Sequence, residues 1–238
     1  MHTQYLDYTD GDVTCHAYVA HEDTRGARRP CVLISHSWAG QSDAERAKAE
    51  EFARMGYVGI AIDVYGKGIR GSHSTDNSAL MAPFMADRAM LRRRMLAAVE
   101  TARALPMVDP GRIAAIGFCF GGLCVLDLAR SGTTDVKGVV SIHGLFGPPR
   151  LGEQAPIAAK VLLLHGWDDP MAPPQDVLSI SQELTAAKAD WQLHAYGHAM
   201  HAFTHAGAAA PERGLLYNAG AARRAWTATR NFLEEVFA

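Results

Sequence analysis

Cysteine is scarce in this chain and falls into no pattern. Only four occur, Cys15, Cys31, Cys119 and Cys124, and none forms a Cys-x-x-Cys pair, so no structural zinc site is expected. Cys15 and Cys31 lie in apolar, strand-like runs and read as buried reduced thiols, and Cys124 reads as packing on an apolar helix. Long apolar runs are missing too: no segment approaches the roughly 20 residues that cross a bilayer. Neither sign of charge dominates, with Lys+Arg 23 against Asp+Glu 25, so no basic face is implied and nucleic acid is not an expected partner. The first residues, Met1 to Asp12, are polar and acidic, unlike a secretory signal. These absences together describe a soluble, cytoplasmic protein without membrane attachment.

What is present is enough apolar material for a core. Hydrophobic residues make up 48% of 238 positions, which suits one domain spanning residues 1–238. Apolar runs alternate with amphipathic segments. Strands are expected at Asp12–His21, Pro30–Ser35, Tyr57–Ile62, Arg112–Gly117, Val136–Ile142, Lys160–His165 and Trp191–Tyr196. Helices are expected at Ser42–Met55, Pro83–Leu105 with Arg92, Arg93 and Arg94 exposed, Gly121–Arg130, Gln175–Ala187 and Ala221–Phe237. Strands apolar on both faces and separated by helices indicate a mostly parallel sheet covered on both sides, an α/β fold. Tyr65–Ala82 and Thr204–Gly220 read as functional loops.

One segment carries chemistry. Ile113 to Ile116 is followed by Gly117-Phe118-Cys119-Phe120-Gly121-Gly122 and then by an apolar helix. Strand, Gly-x-Cys-x-Gly and helix make a nucleophile elbow with sulfur in place of oxygen. The sharp turn lifts the nucleophile above the sheet, and the glycines allow close approach of strand and helix. The turn also sets Cys119 at a helix N-terminus, where the dipole favours a thiolate. A phosphate-cradling loop does not fit, because neither a Gly-Lys-Ser/Thr ending nor GxGxxG spacing is present.

A nucleophile of this kind needs a base and an acid, in the chain order nucleophile, acid, histidine. Asp168 and Asp169 follow an apolar strand, and Asp169, with Pro-x-x-Pro after it, is the preferred acid. His194, His198, His201 and His205 crowd one stretch, and His201, in a His-Ala-Phe strand–loop ending, is the preferred base. His194 and His198 lack a nearby acidic third ligand, so no metal is expected there. Two backbone donors for an oxyanion are expected from Phe120 and from Trp38, the latter in the loop His36-Ser37-Trp38-Ala39-Gly40.

These segments, with Asp63-Val64-Tyr65-Gly66, resemble the dienelactone hydrolase family from about Thr14 to Phe237. The resemblance implies an α/β-hydrolase fold without a separate cap, a Cys119–His201–Asp169 triad, no cofactor, and a monomer or weak dimer. Two positions depart from the family's founding members. Ser37 stands where they carry a glutamate, and His205 where they carry a carboxylate-binding arginine. Arg70 and Arg88 are the candidates for a second such arginine. Ser37, Trp38 and His205 are the expected substrate contacts. The expected activity is hydrolysis of a small, neutral ester or lactone through an acyl-thioester, with side activity on activated esters including phosphotriesters. A transacylase with the same triad, and a non-catalytic ligand-binding or redox-sensing protein, are the rival readings.

Overall fold

The computed structural model describes residues 1–23, 26–72 and 74–238. Eight strands form one sheet: β1 (His2–Asp10), β2 (Val13–His21), β3 (Arg29–Ser35), β4 (Val58–Ala61), β5 (Val108–Phe118), β6 (Gly138–Ile142), β7 (Lys160–Gly166) and β8 (Trp191–Tyr196). Their spatial order is β1-β2-β4-β3-β5-β6-β7-β8. The β1/β2 and β2/β4 pairs are antiparallel and every later pair is parallel. Six helices accompany the sheet: α1 (Asp43–Arg54), α2 (Ser78–Ala86), α3 (Arg88–Ala104), α4 (Phe120–Arg130), α5 (Pro174–Ala186) and α6 (Ala219–Phe237). This is the expected α/β architecture, and among the described residues no insertion forms a separate cap.

The period-two geometry of the strands divides the core into two layers. On β3, Cys31 and Leu33 face one layer while Val32 and Ile34 face the other, and on β5 Ile113 and Ala115 alternate in the same way with Ala114 and Ile116. One layer is filled from α3, α4 and α5 by residues such as Leu91, Met95, Leu123 and Ile180. The other is filled from α1 and α6 by Phe52, Phe232 and Leu233. Cys15, Cys31 and Cys124 are buried free thiols, as expected.

Three expectations need correction. The polar N-terminus is a strand, β1, joined to β2 across a two-residue turn in which Gly11 has φ 58. As an edge strand it is exposed along most of its length, and only Leu6 and Tyr8 give it an apolar inward face, too short to signal a strand. The long helix expected at Pro83–Leu105 is two helices, and α2 lies partly in the segment read as a loop. Asp87, at φ −121 and ψ 86, breaks the helical path, and its carboxylate accepts from Met90 N–H to start α3. Arg94 is buried rather than exposed: its guanidinium donates to Asp10 at 2.9 Å and to the Val64 carbonyl at 2.7 Å. A further two-stranded ribbon, β9 (Ala209–Ala210) with β10 (Leu215–Leu216), organises the Thr204–Gly220 segment.

Candidate active site

The elbow sits where β5 ends and α4 begins. Cys119 has φ 55 and ψ −115, a conformation that L side chains adopt only under constraint. Its N–H donates to the Ile142 carbonyl at 3.1 Å, and its carbonyl accepts from Gly122 N–H at 2.9 Å. The glycines around it are sterically required. A Cβ on Gly117 would lie 2.0 Å from the Gly121 carbonyl oxygen, and one on Gly121 would lie 2.3 Å from that of Ser35. Among the described residues, neither the Phe120 N–H nor the Trp38 N–H donates to a protein acceptor, so both remain available to a developing oxyanion.

The Trp38 loop is held by His36, which is fully buried. Its Nε2 accepts from Val64 N–H at 3.0 Å and its Nδ1 meets the Ser37 carbonyl at 2.7 Å. That pairing requires the neutral Nδ1–H tautomer, and burial pushes the imidazole's pKa down accordingly. Tyr65 adds a second tie, its hydroxyl donating to the Trp38 carbonyl at 2.9 Å.

His201 and Asp169 meet behind the elbow. His201 Nδ1 lies 2.7 Å from Asp169 Oδ2, and the two residues are each 2% exposed. Asp169 Oδ1 accepts from Met171 N–H at 2.8 Å, which fixes the carboxylate. The His201 backbone is anchored on the ribbon segment, donating to Gly214 and accepting from Leu216. Gly166 lets this loop close on β7, since a Cβ there would lie 2.5 Å from the Ala199 carbonyl oxygen. His201 Nε2 is buried and makes no hydrogen bond of full geometry. Burial disfavours its cation, but the Cys119 thiolate charge and the bond to Asp169 outweigh that and hold its pKa up to about 10. Asp168 instead stands 3.7 Å from the exposed His198.

Cys119 and His201 share one cavity of about 540 Å³. Ser37, Trp38 and His205 also line it. Much of the remaining wall is apolar, with Met81, Phe118, Leu145, Met171, Leu215 and Trp226. Neither candidate arginine reaches it. Arg88 is buried against Asp127 at 2.6 and 2.7 Å, and Arg70 is bound to Asp63 at 3.1 Å. The arginine that lines the cavity is Arg213, and beside His201 and His205 a third histidine, His143, lies on its wall; neither Arg213 nor His143 carries a sequence motif. Arg213 does fall within the segment flagged as a functional loop. Among the described residues no cluster of three or more His, Cys, Asp or Glu could hold a metal, and no helix is long and apolar enough to cross a membrane.

A parallel-centred sheet, an elbow at the end of its central strand β5, and an acid and a histidine on later loops define an α/β-hydrolase. The sequence profile of the dienelactone hydrolase family matches residues 15–237, and the chain belongs to that family. Two solved structures are similar over the whole chain. The one named m3DLH has 35% identity, covers 100% of this chain and 99% of its own, and superposes with a TM-score of 0.93. The dienelactone hydrolase-like promiscuous phosphotriesterase P91, from metagenomic libraries, has 33% identity, the same coverage and a TM-score of 0.91. A putative carboxymethylenebutenolidase of Synechocystis is 27% identical over 86% of this chain and 85% of its own length. The protein is accordingly an enzyme of the carboxylic ester and lactone hydrolase class.

Proposed function

We propose that the protein hydrolyses small carboxylic esters or lactones with Cys119 as nucleophile, His201 as base and acid, and Asp169 as its orienting carboxylate. The observation that carries this reading is the buried 2.7 Å Asp169–His201 contact, with that imidazole beside an elbow cysteine in the same cavity. The Cys119 sulfur gives its proton to His201 Nε2, and the thiolate attacks the carbonyl carbon. The carbonyl π electrons move to oxygen, where the Phe120 and Trp38 N–H groups receive the charge, each donor contributing about 3 kcal/mol. Collapse of this intermediate breaks the ester C–O bond, and the His201 imidazolium protonates the departing alkoxide. An acyl-thioester remains. His201 then takes a proton from water, the hydroxide attacks the thioester carbon, and the C–S bond breaks to release the acid and restore the thiol pair.

The apolar wall suits a small acyl or alcohol group; Arg70 and Arg88 are engaged elsewhere, and Arg213 is the arginine on the wall that a carboxylate-bearing substrate would meet. Similarity to P91 supports side activity on activated phosphotriesters. The test is turnover of p-nitrophenyl acetate, of neutral and carboxylate-bearing lactones, and of a p-nitrophenyl phosphotriester. Cys119→Ala is expected to lower kcat by at least about a thousandfold while the fold persists. Acyl-enzyme trapped at Cys119 by acid quench supports the cycle. An undiminished alanine variant, or a wild-type thiol that alkylates readily but turns over no ester, refutes it.

A further inference from the structure

Immediately after β6, His143 adopts φ 39, a left-handed conformation uncommon for residues other than glycine. It is 3% exposed and lies on the cavity wall. Its surroundings hold it there. The backbone N–H donates to the Leu164 carbonyl at 2.8 Å, and the ring Nε2 meets the Thr204 hydroxyl at 2.8 Å. Thr204 belongs to the same turn as His201. The imidazole lies edge-to-face with His201 at 5.3 Å between centroids and with Phe203 at 5.3 Å, and tilted against Phe118 at 6.0 Å. One ring therefore touches the residue before the nucleophile, the base, and the loop that carries the base.

We propose that His143 is a positioning residue, whose ring keeps the His201 imidazole turned toward Cys119 and supports it when it becomes a cation. The idea rests on the triad reading above and assigns the triad a fourth member. An edge-to-face contact between a neutral ring and an imidazolium is attractive, and it removes the rotational freedom that would otherwise separate the base from the sulfur. Burial and the neighbouring His201 charge push the His143 pKa well down, so His143 does not compete as a base. The groups around His201 that titrate or carry charge are Cys119 at the head of α4, Asp169 and His165 from the β7 end, and His143 after β6. His205 and Arg213 stand on the same cavity wall. Among the described residues, the ring that packs against the His201 imidazole is His143.

Two variants test the proposal. His143→Asn tolerates a left-handed backbone and can still meet Thr204, but it has no ring. His143→Phe keeps the ring and loses the Thr204 bond. The readouts are the fold by circular dichroism, kcat and KM for p-nitrophenyl acetate, and the pH dependence of Cys119 alkylation by iodoacetamide. His143→Asn is expected to lower kcat about tenfold or more, to leave KM within about threefold, and to move the alkylation midpoint to higher pH. His143→Phe is expected to restore most of kcat and the midpoint. A folded Asn variant with wild-type kcat and midpoint overturns the proposal, and so does a folded Phe variant no better than Asn. If the Phe variant does not fold, the Asn result decides. Alkylation needs no turnover, so a protein that hydrolyses no ester would sink the proposed function while the midpoint comparison still judged the role of His143.

Discussion

If the Cys119 backbone is held in a strained conformation for the sake of catalysis, replacing it with glycine should stabilise the protein relative to alanine. At φ 55 and ψ −115 the residue lies outside the regions comfortable for a side chain. Such a conformation costs on the order of 1–3 kcal/mol for a non-glycine residue. Glycine removes that strain but gives up about 0.5–1 kcal/mol in unfolded-state entropy relative to alanine. The difference leaves Cys119→Gly about 0–2.5 kcal/mol more stable than Cys119→Ala, and the position's place as N-cap of α4, where glycine is preferred to alanine, acts in the same direction. Both variants lack the thiol, so the loss of its pairing with His201 cancels in the comparison. In a chain of this size each kcal/mol moves Tm by about 2–4 °C, which differential scanning calorimetry resolves. Neither variant should turn over ester. A glycine variant that melts below the alanine variant would show that the elbow is unstrained and would refute the reasoning.

Asp169→Asn should lower kcat by about three to four orders of magnitude, with KM little changed, because an amide can hold the imidazole in the wrong tautomer and cannot support its cation. Steady-state kinetics check this, and a loss below about tenfold would place the acid elsewhere. Asp127→Ala should destabilise the fold by about 3–5 kcal/mol, since it leaves the buried Arg88 without its two-bond carboxylate partner and takes one bond from Arg130. Urea unfolding measures it, and a loss under about 1 kcal/mol would contradict the arrangement. His201 carries a folded-state pKa of about 10 against 6.5 in its unperturbed state, so its protonation binds more strongly in the native protein. That contribution to stability is fully present below pH 6.5 and is lost as pH rises from there through about 10. Urea midpoints across that window should decline in the wild type and decline less in Cys119→Ala, which removes the contribution of Cys119 to the His201 shift.

The central strands were legible because each is apolar on both faces, a pattern that only a sheet covered on both sides requires. The outer strand β1 was not, since its side chains meet water on most of its length and its inward face is only the short set Leu6, Tyr8 and Asp10, ending on a carboxylate. Asp87 divides the long helix through a single carboxylate that caps Met90, a signal easily lost within a run of helix-forming residues. Arg94 reads as exposed beside Arg92 and Arg93 because only the fold brings Asp10 beneath it. For Arg94 the missing information lay in a partner 84 residues away along the chain.

The same division runs through the site. Gly117 and Gly121 announced the elbow because their job is done by backbone and by the space a Cβ would fill, and spacing alone records that. The turn Asp-Pro-x-x-Pro favoured Asp169 over Asp168 on local grounds; Asp169 lies 2.7 Å from His201 Nδ1, and Asp168 stands 3.7 Å from His198. His143 and Arg213 carry no local signature. One acts by placing a ring against another ring, the other by lining a wall that the β9–β10 ribbon builds. Motifs therefore identify the atoms that make and break bonds, while the groups that orient them depend on tertiary packing. Ser37, Trp38 and His205 make up only part of the cavity wall, and the segment from Thr204 to Gly220 supplies much of the rest, Arg213 and Leu215 among it, so that segment is where the cavity's chemistry should be altered first.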